Sequence, residues 1–155
     1  MDIARISPDE WERFRAVRLE SLSDSPTAFG SRYEDWLDAS EVRWRARLTE
    51  VPLTLIAHDG VEDVGVVSGQ SDGECWAEMI SMWVDPSARG TGTADDLITA
   101  MVGWATGQGR STYLMVRSDN PRARAAYERA GFVDRGVPDG WSIAEPPEHR
   151  MEMRL

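Results

Sequence analysis

Apolar residues recur at spacings of three and four in the first third of the chain, a period that predicts helices packed through one face. Residues 2–6 alternate polar and apolar positions, which predicts a short strand, and Ser7-Pro8 then begins the first helix. Its apolar stripe consists of Trp11, Phe14, Val17 or Arg18, Leu19 and Leu22. Ser23-Asp24-Ser25-Pro26 ends this helix, and we expect one or two more helices between residues 28 and 50.

Three β-rich runs follow, at residues 51–58, 61–70 and 75–84. Asp59-Gly60 separates the first two runs and Ser71-Asp72-Gly73 separates the last two, and both are turn sequences. The pattern therefore predicts three antiparallel strands in a meander.

The second half of the chain alternates predicted helices and strands. Residues 90–107 form a helix whose apolar face comprises Ala94, Leu97, Ile98, Met101, Trp104 and Ala105. Asn120-Pro121 begins another helix, which ends at Gly131. Further strands are predicted at residues 112–116, 132–137 and 151–155. The fold class is a mixed α/β domain over residues 1–155, with about seven strands and about four helices.

Charge and composition exclude several classes of protein. Seventeen basic residues against 27 acidic ones give a formal net charge of −10, which lacks the basic footprint of a nucleic-acid binder. The chain contains no lysine, so it has no phosphate-loop or Schiff-base lysine. One cysteine and two histidines are too few for a zinc set, and we expect no metal. Without a signal peptide or a membrane-length apolar run, we expect a cytoplasmic location.

The segment with the clearest chemistry is the small-residue loop at residues 88–94, which precedes a predicted helix. Such a loop lets backbone amides point together at a helix N-terminus and bind an anion. An ordinary strand-to-helix turn is the alternative. A phosphate-loop nucleotidase is excluded because the loop does not end in lysine, and a dinucleotide fold is excluded because the loop does not follow a first parallel strand.

Two motifs carry a resemblance to a known family. Arg89, Gly92 and Ala94 match a Q/R-x-x-G-x-G/A signature. A second motif, Asn-x-x-Ala-x-x-x-Tyr-x-x-x-Gly-Phe, is matched by Asn120, Ala123, Tyr127, Gly131 and Phe132. In this order and at this separation, the motifs resemble those of the GCN5-related N-acetyltransferase (GNAT) family.

The resemblance implies a sheet that is mostly antiparallel and splayed between the fourth and fifth strands. It also implies acetyl-coenzyme A as the donor, with the pyrophosphate on the amides of the loop and the pantetheine arm beside the third strand of the meander. The residues implied to bind coenzyme A are Met82, Trp83, Val84, Arg89, Gly90, Thr91, Gly92, Thr93, Ala94, Asn120, Ala123 and Tyr127.

Attack of an amine on a thioester needs a proton acceptor for the amine and an acid for the departing thiolate. Glu78 lies at the register where members of the resembled family carry a catalytic glutamate, and it is our candidate base. Its alternatives are a water chain as the base and a solvent-facing glutamate with no role. Tyr127 occupies the position that protonates the thiolate in relatives, and its alternative is a tyrosine that anchors the helix to the sheet.

The sequence gives fewer signals for the acceptor pocket than for the donor site. Phe29, Tyr33 and Trp36 are candidate substrate-binding residues, together with Glu78. Eight acidic residues and no arginine lie between residues 48 and 88, which suits either a solvated surface or a rim that attracts a cationic amine. We expect a small-molecule primary amine as acceptor. A peptide or protein acceptor, a non-catalytic acyl-coenzyme A binding module and a homodimer are left open.

Overall fold

The computed structural model of the chain describes residues 1–26, 31–140 and 146–155. The strands are β1 (Asp2–Arg5), β2 (Leu53–His58), β3 (Asp63–Asp72), β4 (Trp76–Val84), β5 (Ser111–Arg117), β6 (Val133–Asp134) and β7 (Glu148–Met153). The α-helices are α1 (Trp11–Asp24), α2 (Tyr33–Leu37), α3 (Glu41–Glu50), α4 (Thr93–Gly107) and α5 (Pro121–Arg129). Short 3-10 helices precede α1 and α4, at Pro8–Glu10 and Pro86–Ala88.

The strands form one sheet in the order β1-β2-β3-β4-β5-β7-β6. All neighbours pair antiparallel except β4 and β5, which run parallel. The β4–β5 pairing covers three positions, from Trp76 opposite Ser111 to Glu78 opposite Tyr113. Beyond Glu78 the two strands separate, so the predicted fold class and the predicted splay are both confirmed.

A bulge in β4 lies just beyond this last paired position. Val66 of β3 is opposite Trp83, but Ser68 is opposite Ile80, so one residue of β3 faces two of β4. Ser81 takes a φ of 58°, the left-handed region that non-glycine residues seldom adopt. Because a bulge bends its strand and increases the local twist, it accounts for the divergence of β4 from β5.

Helices cover both faces of the sheet. On one face, Phe14 and Val17 of α1 and Trp44 of α3 pack against Ile56 and Val66 in one apolar cluster. On the other face, the apolar side of α4 packs against alternate residues of β2, β3 and β4 in a second cluster. The close approach of α4 requires glycine at Gly65, where a Cβ atom would lie 2.9 Å from Leu97 Cδ1.

The observed elements differ from the predicted ones mainly near the C-terminus. The strand predicted at residues 132–137 is reduced to Val133–Asp134, because Gly136 takes a φ of 76° and gives its backbone N–H to the Asp134 carboxylate. The last strand begins at Glu148 rather than at residue 151. Two helices lie between residues 31 and 50, which raises the α-helices of the described residues from the expected four to five. None of these described helices combines the length and apolar character needed to cross a membrane.

Candidate active site

A cavity of about 490 Å³ opens where β4 and β5 separate. Residues 78–84 of β4 and 114–117 of β5 form its two walls. Ala94 and Ile98 of α4 and four residues of the α5 segment line it on one face of the sheet, and Arg18 of α1 lines it on the other. Since α1 and α4 pack on opposite faces, the cavity passes through the gap in the sheet.

The glycine loop connects the end of β4 to α4. Gly90 and Gly92 adopt φ values of 80° and 87°, which glycine allows without steric cost. The Thr91 hydroxyl bonds the carbonyl of Ala88 and lies 2.8 Å from the Thr93 hydroxyl, which fixes the turn. The first turn of α4 leaves its backbone amides without intrahelical partners. Of this loop, Arg89 and Ala94 line the cavity, and the four residues between them form the turn that joins the two.

Arg89 and Trp83 are held together by one carboxylate. Asp24 at the end of α1 accepts a 2.8 Å bond from the Arg89 guanidinium and a 2.9 Å bond from the Trp83 indole N–H. Arg89 Nε also donates to the carbonyl oxygen of Val84 at 3.1 Å. The indole bond, followed by those of Ser25 and Arg89, lowers the pKa of Asp24 although partial burial opposes it. The cluster ties α1 to the end of β4 at the cavity edge.

Glu78 lines the cavity at the last paired position of β4. Gln70, its antiparallel partner on β3, donates from Nε2 to Glu78 Oε1 at 3.0 Å. Burial raises the pKa of Glu78, the Gln70 hydrogen bond opposes that rise, and the negative charges of Asp72 and Glu148 add to it. The carboxyl group is therefore fixed in orientation and is a stronger proton acceptor than a solvated glutamate.

Tyr127 lines the same cavity from α5. Its ring meets Phe132 edge-on, with centroids 6.0 Å apart, and burial raises the pKa of its hydroxyl to about 12. Within the described part of the chain, no protein atom hydrogen-bonds this hydroxyl. It is therefore protonated at neutral pH and available to a ligand in the cavity.

Asn120 begins α5, as predicted for a helix cap. Its side-chain oxygen accepts the backbone N–H of Ala123 at 3.2 Å, and both residues line the cavity. Of the twelve residues expected to bind coenzyme A, the eight that line the cavity are Met82, Trp83, Val84, Arg89, Ala94, Asn120, Ala123 and Tyr127. The other four are Gly90, Thr91, Gly92 and Thr93 of the connecting turn.

The candidate substrate-binding residues do not share one pocket. Tyr33 lines a second cleft of about 570 Å³, together with Trp83 and Asp85. Trp36 packs against Trp44 with ring centroids 4.8 Å apart and lines neither of the two cavities. Phe29 lies outside the described residues. Within the part of the chain that the structure describes, Glu78 is therefore the one member of this set that lines the cavity at the β4–β5 gap.

The acidic residues between positions 48 and 88 do not form one rim. Asp59, Glu62 and Asp85 lie at one end of the β3–β4 hairpin, and Asp72 and Glu74 lie at the other end. Asp72 accepts the hydroxyl of Tyr113 at 2.6 Å, and Asp63 forms a two-point pair with Arg13. Several of these charges thus have structural partners, and of the eight acidic residues only Glu78 lines the cavity at the gap.

Sequence reasoning missed two arginines that lie under the cavity. Arg18 is 6% exposed and lines it, and its Nη1 lies 3.4 Å from Ser21 Oγ. Arg47 of α3 donates to Ser68 Oγ at 3.3 Å and to Ser81 Oγ at 3.2 Å. Burial lowers the pKa of each to about 10, and the charge of Arg47 contributes to the shift of Arg18. The sequence did carry a signal for Arg18, because this charged residue lies within the apolar stripe of α1.

The comparisons with known proteins agree with this geometry. The sequence model of the Acetyltransferase (GNAT) family matches residues 10–132. The chain therefore belongs to the GNAT acetyltransferase family, and the resemblance carried by the two motifs is confirmed. The comparison with curated proteins gave no match.

Solved structures with the same fold cover nearly the whole chain. A GNAT-family acetyltransferase from Streptococcus pneumoniae is 20% identical, covers 97% of this chain and 96% of its own, and has a TM-score of 0.75. The PaiA N-acetyltransferase from Thermoplasma acidophilum, solved with coenzyme A, is 16% identical over 99% of this chain and 98% of its own, with a TM-score of 0.76. RimL, a ribosomal L7/L12 α-N-protein acetyltransferase also solved with coenzyme A, is 14% identical over 99% and 93%, with a TM-score of 0.77.

Proposed function

We propose that this protein is an acetyl-coenzyme A dependent N-acetyltransferase that transfers the acetyl group to the primary amine of a small molecule, by direct attack within a ternary complex. The observation that carries this proposal is that one cavity at the β4–β5 gap contains both a proton acceptor, Glu78, and a protonated phenol, Tyr127. Membership of the GNAT family and the coenzyme A complexes of two structural relatives support the choice of donor.

The residues around the gap suit coenzyme A. The amides at the start of α4 offer donors to a pyrophosphate, and the positive φ values of Gly90 and Gly92 allow the backbone to approach it closely. Met82, Trp83 and Val84 line the cavity in the part of β4 that has left β5, so an extended pantetheine arm would lie beside unpaired strand edges. Asp95 and Asp96 do not line the cavity. When bound, the donor supplies an acetyl thioester.

Glu78 would accept the proton that the attacking amine must lose. A base is more effective when its pKa lies closer to that of the group it deprotonates, and burial moves the pKa of Glu78 upward. The bond from Gln70 occupies Oε1 and leaves the second carboxylate oxygen for the amine or for a bridging water.

Tyr127 would protonate the departing sulfur. Proton transfer from a phenol with a pKa of about 12 to a solvated thiolate is uphill by roughly 5 kcal/mol. Burial raises the pKa of a thiol in the same way, so the pKa difference between the phenol and the thiol decreases when the sulfur enters the cavity. A hydroxyl with no protein partner among the described residues can turn toward that sulfur.

The test is a thiol-release assay with acetyl-coenzyme A over a panel of polyamines, aminoglycosides, amino acids and peptides. Acetylation of a small amine with loss of activity in Tyr127→Phe is the expected result. Coenzyme A binding without thiol release for any amine would instead favour a non-catalytic acyl-coenzyme A binding module. Activity confined to peptides or proteins would show that the acceptor is a peptide or a protein instead of a small molecule.

A further inference from the structure

Asp24 lies where its own helix does not favour a carboxylate. It is the last residue of α1, and the partial negative charge at a helix C-terminus repels an anion. Its Oδ2 atom accepts three hydrogen bonds, from the Trp83 indole at 2.9 Å, the Arg89 guanidinium at 2.8 Å and the Ser25 hydroxyl at 3.0 Å. Trp83 and Arg89 are 59 and 65 residues away along the chain. The carboxylate therefore serves β4 and the glycine loop, not α1 itself.

Arg89 is held at two of its three guanidinium nitrogens. Nε donates to the carbonyl oxygen of Val84 at 3.1 Å, and Nη2 donates to Asp24. Nη1 has no hydrogen-bond partner among the described residues, and the side chain is 42% exposed and lines the cavity. Because a guanidinium is planar and rigid, two fixed nitrogens determine where the third one lies. Arg89 therefore presents Nη1 in one defined direction before a ligand binds.

The stability of the fold does not account for this ion pair. The side chains of Arg89 and Asp24 are 42% and 31% exposed, and ion pairs with such exposure add little to the free energy of unfolding. Asp24 also places a negative charge beside the first residue of the loop that suits a pyrophosphate, and this charge by itself repels an anionic donor. The arrangement has a reason if the carboxylate orients the cation that contacts the donor.

We propose that Asp24 is a positioning residue for the donor, which orients Arg89 so that Nη1 contacts the pyrophosphate of coenzyme A at the start of α4. This inference rests on the proposed function, because it takes coenzyme A as the donor. A long side chain that is already fixed loses less conformational entropy when the ligand binds, so orientation of Arg89 increases affinity. The Trp83 indole holds Oδ2 independently of Arg89 and thereby fixes the carboxylate itself.

Calorimetric titration of Asp24→Asn and Asp24→Ala with coenzyme A separates orientation from charge. Both variants remove the same negative charge, which alone would tighten the binding of an anionic donor. The asparagine keeps an oxygen acceptor in place of Oδ2, and its amide nitrogen replaces Oδ1, which bonds nothing among the described residues. We expect Asp24→Ala to bind coenzyme A about tenfold more weakly than Asp24→Asn, the order of one charge-assisted hydrogen bond. Equal affinities of the two variants would overturn the inference.

A double-mutant cycle with Arg89→Met distinguishes positioning from a structural role. If Asp24 acts through Arg89, the difference in affinity between Asp24→Asn and Asp24→Ala should vanish in the Arg89→Met background. A carboxylate that merely ties α1 to β4 through Trp83 would leave that difference unchanged, and this result would overturn the inference. Asp9→Ala is the matched control, since it removes one carboxylate from an exposed ion pair with Arg45 and lines neither cavity. Its affinity for coenzyme A should equal that of the wild type.

Nuclear magnetic resonance of the ligand-free protein tests the orientation directly. The Nε–H group of Arg89 should be ordered in the wild type and in Asp24→Asn and more mobile in Asp24→Ala, and equal order in all three proteins would refute positioning. The titrations need no acceptor, so they still decide the inference if no amine releases thiol and the proposed transfer fails. A wild-type protein that binds no coenzyme A would instead refute the donor assignment and this inference together.

Discussion

Glu78 and Tyr127 share a cavity, and burial raises the pKa of both groups, which favours the protonated form of each. Tyr127 remains protonated through the neutral range, whereas Glu78 loses its proton at a higher pH than a solvated glutamate does, because its pKa is raised. Between these two pKa values the cavity holds a carboxylate and a phenol together, which is the state that the proposed reaction requires.

Glu78→Gln should remove the acid limb of the rate profile. In the wild type, kcat/KM falls as the pH drops through the raised pKa of Glu78, because the protonated carboxyl group cannot accept a proton. The amide of the variant keeps the shape of the carboxyl group and can still bond Gln70, so we expect turnover to fall about tenfold to a thousandfold without loss of folding. The measurement is kcat/KM against pH, with Glu74→Gln, an exposed residue of the same hairpin, as control. Survival of the acid limb would assign the base to water or to another group.

Tyr127→Phe keeps the ring contact with Phe132 and removes only the hydroxyl. We expect kcat to fall about tenfold to a thousandfold with little change in the affinity for coenzyme A or in Tm, because the hydroxyl has no protein partner among the described residues. Tyr113→Phe should instead lower stability, because it removes the hydroxyl that donates a 2.6 Å hydrogen bond to Asp72. Full activity of Tyr127→Phe would reduce this residue to a structural role.

At the scale of elements, the loop between β4 and α4 combines positive φ values with free amides. Gly92→Asp should abolish measurable binding of coenzyme A, because it places a carboxylate where phosphate must approach the amides. Gly92 has a φ of 87° with nothing within 4 Å of an added Cβ atom, and Gly60 has a φ of 100° with the same open surroundings. Gly60→Asp therefore imposes a similar backbone strain and the same charge at a turn outside the loop.

The calorimetric affinity of coenzyme A should be lost in Gly92→Asp and unchanged in Gly60→Asp. Gly92→Ala adds backbone strain without charge, so its affinity for coenzyme A should lie between those of the two variants. Wild-type affinity in a folded Gly92→Asp protein would show that the pyrophosphate does not bind at this loop.

The elements that sequence reasoning predicted are those with local signals. The meander follows from three β-rich runs and two turn sequences, and the helix after the glycine loop follows from its apolar period. The bulge at Ser81 carries no local signal, because it arises from the register of β4 against β3. The bond from Gln70 to Glu78 depends on the same register, and the approach of Arg47 to Ser81 depends on how α3 packs. The first contact depends on strand register within one hairpin and the second joins α3 to β4, so spacing along the sequence reveals neither of them.

At the scale of the whole molecule, the sheet consists of two parts joined at a short seam. Strands β1–β4 form one part and β5, β7 and β6 form the other, and the strand pairing between them covers three positions within the described residues. The proposed donor site lies in the gap beyond this seam. A ligand bound there contacts both parts at once, so binding should stabilise the fold as a unit.

Coenzyme A should therefore raise the thermal stability of the protein and slow exchange in both walls of the gap. At a ligand concentration about one hundred times Kd, the free energy of unfolding increases by about 2.7 kcal/mol, which corresponds to about 5 to 11 °C in Tm for a domain of this size. Calorimetry measures that shift, and hydrogen exchange should show protection of residues 80–84 and 114–117, the parts of β4 and β5 that do not pair with each other. Gly92→Asp should lose both effects. Protection confined to residues 111–113 and 76–78, or a shift in Tm without protection of either wall, would place the ligand outside the gap.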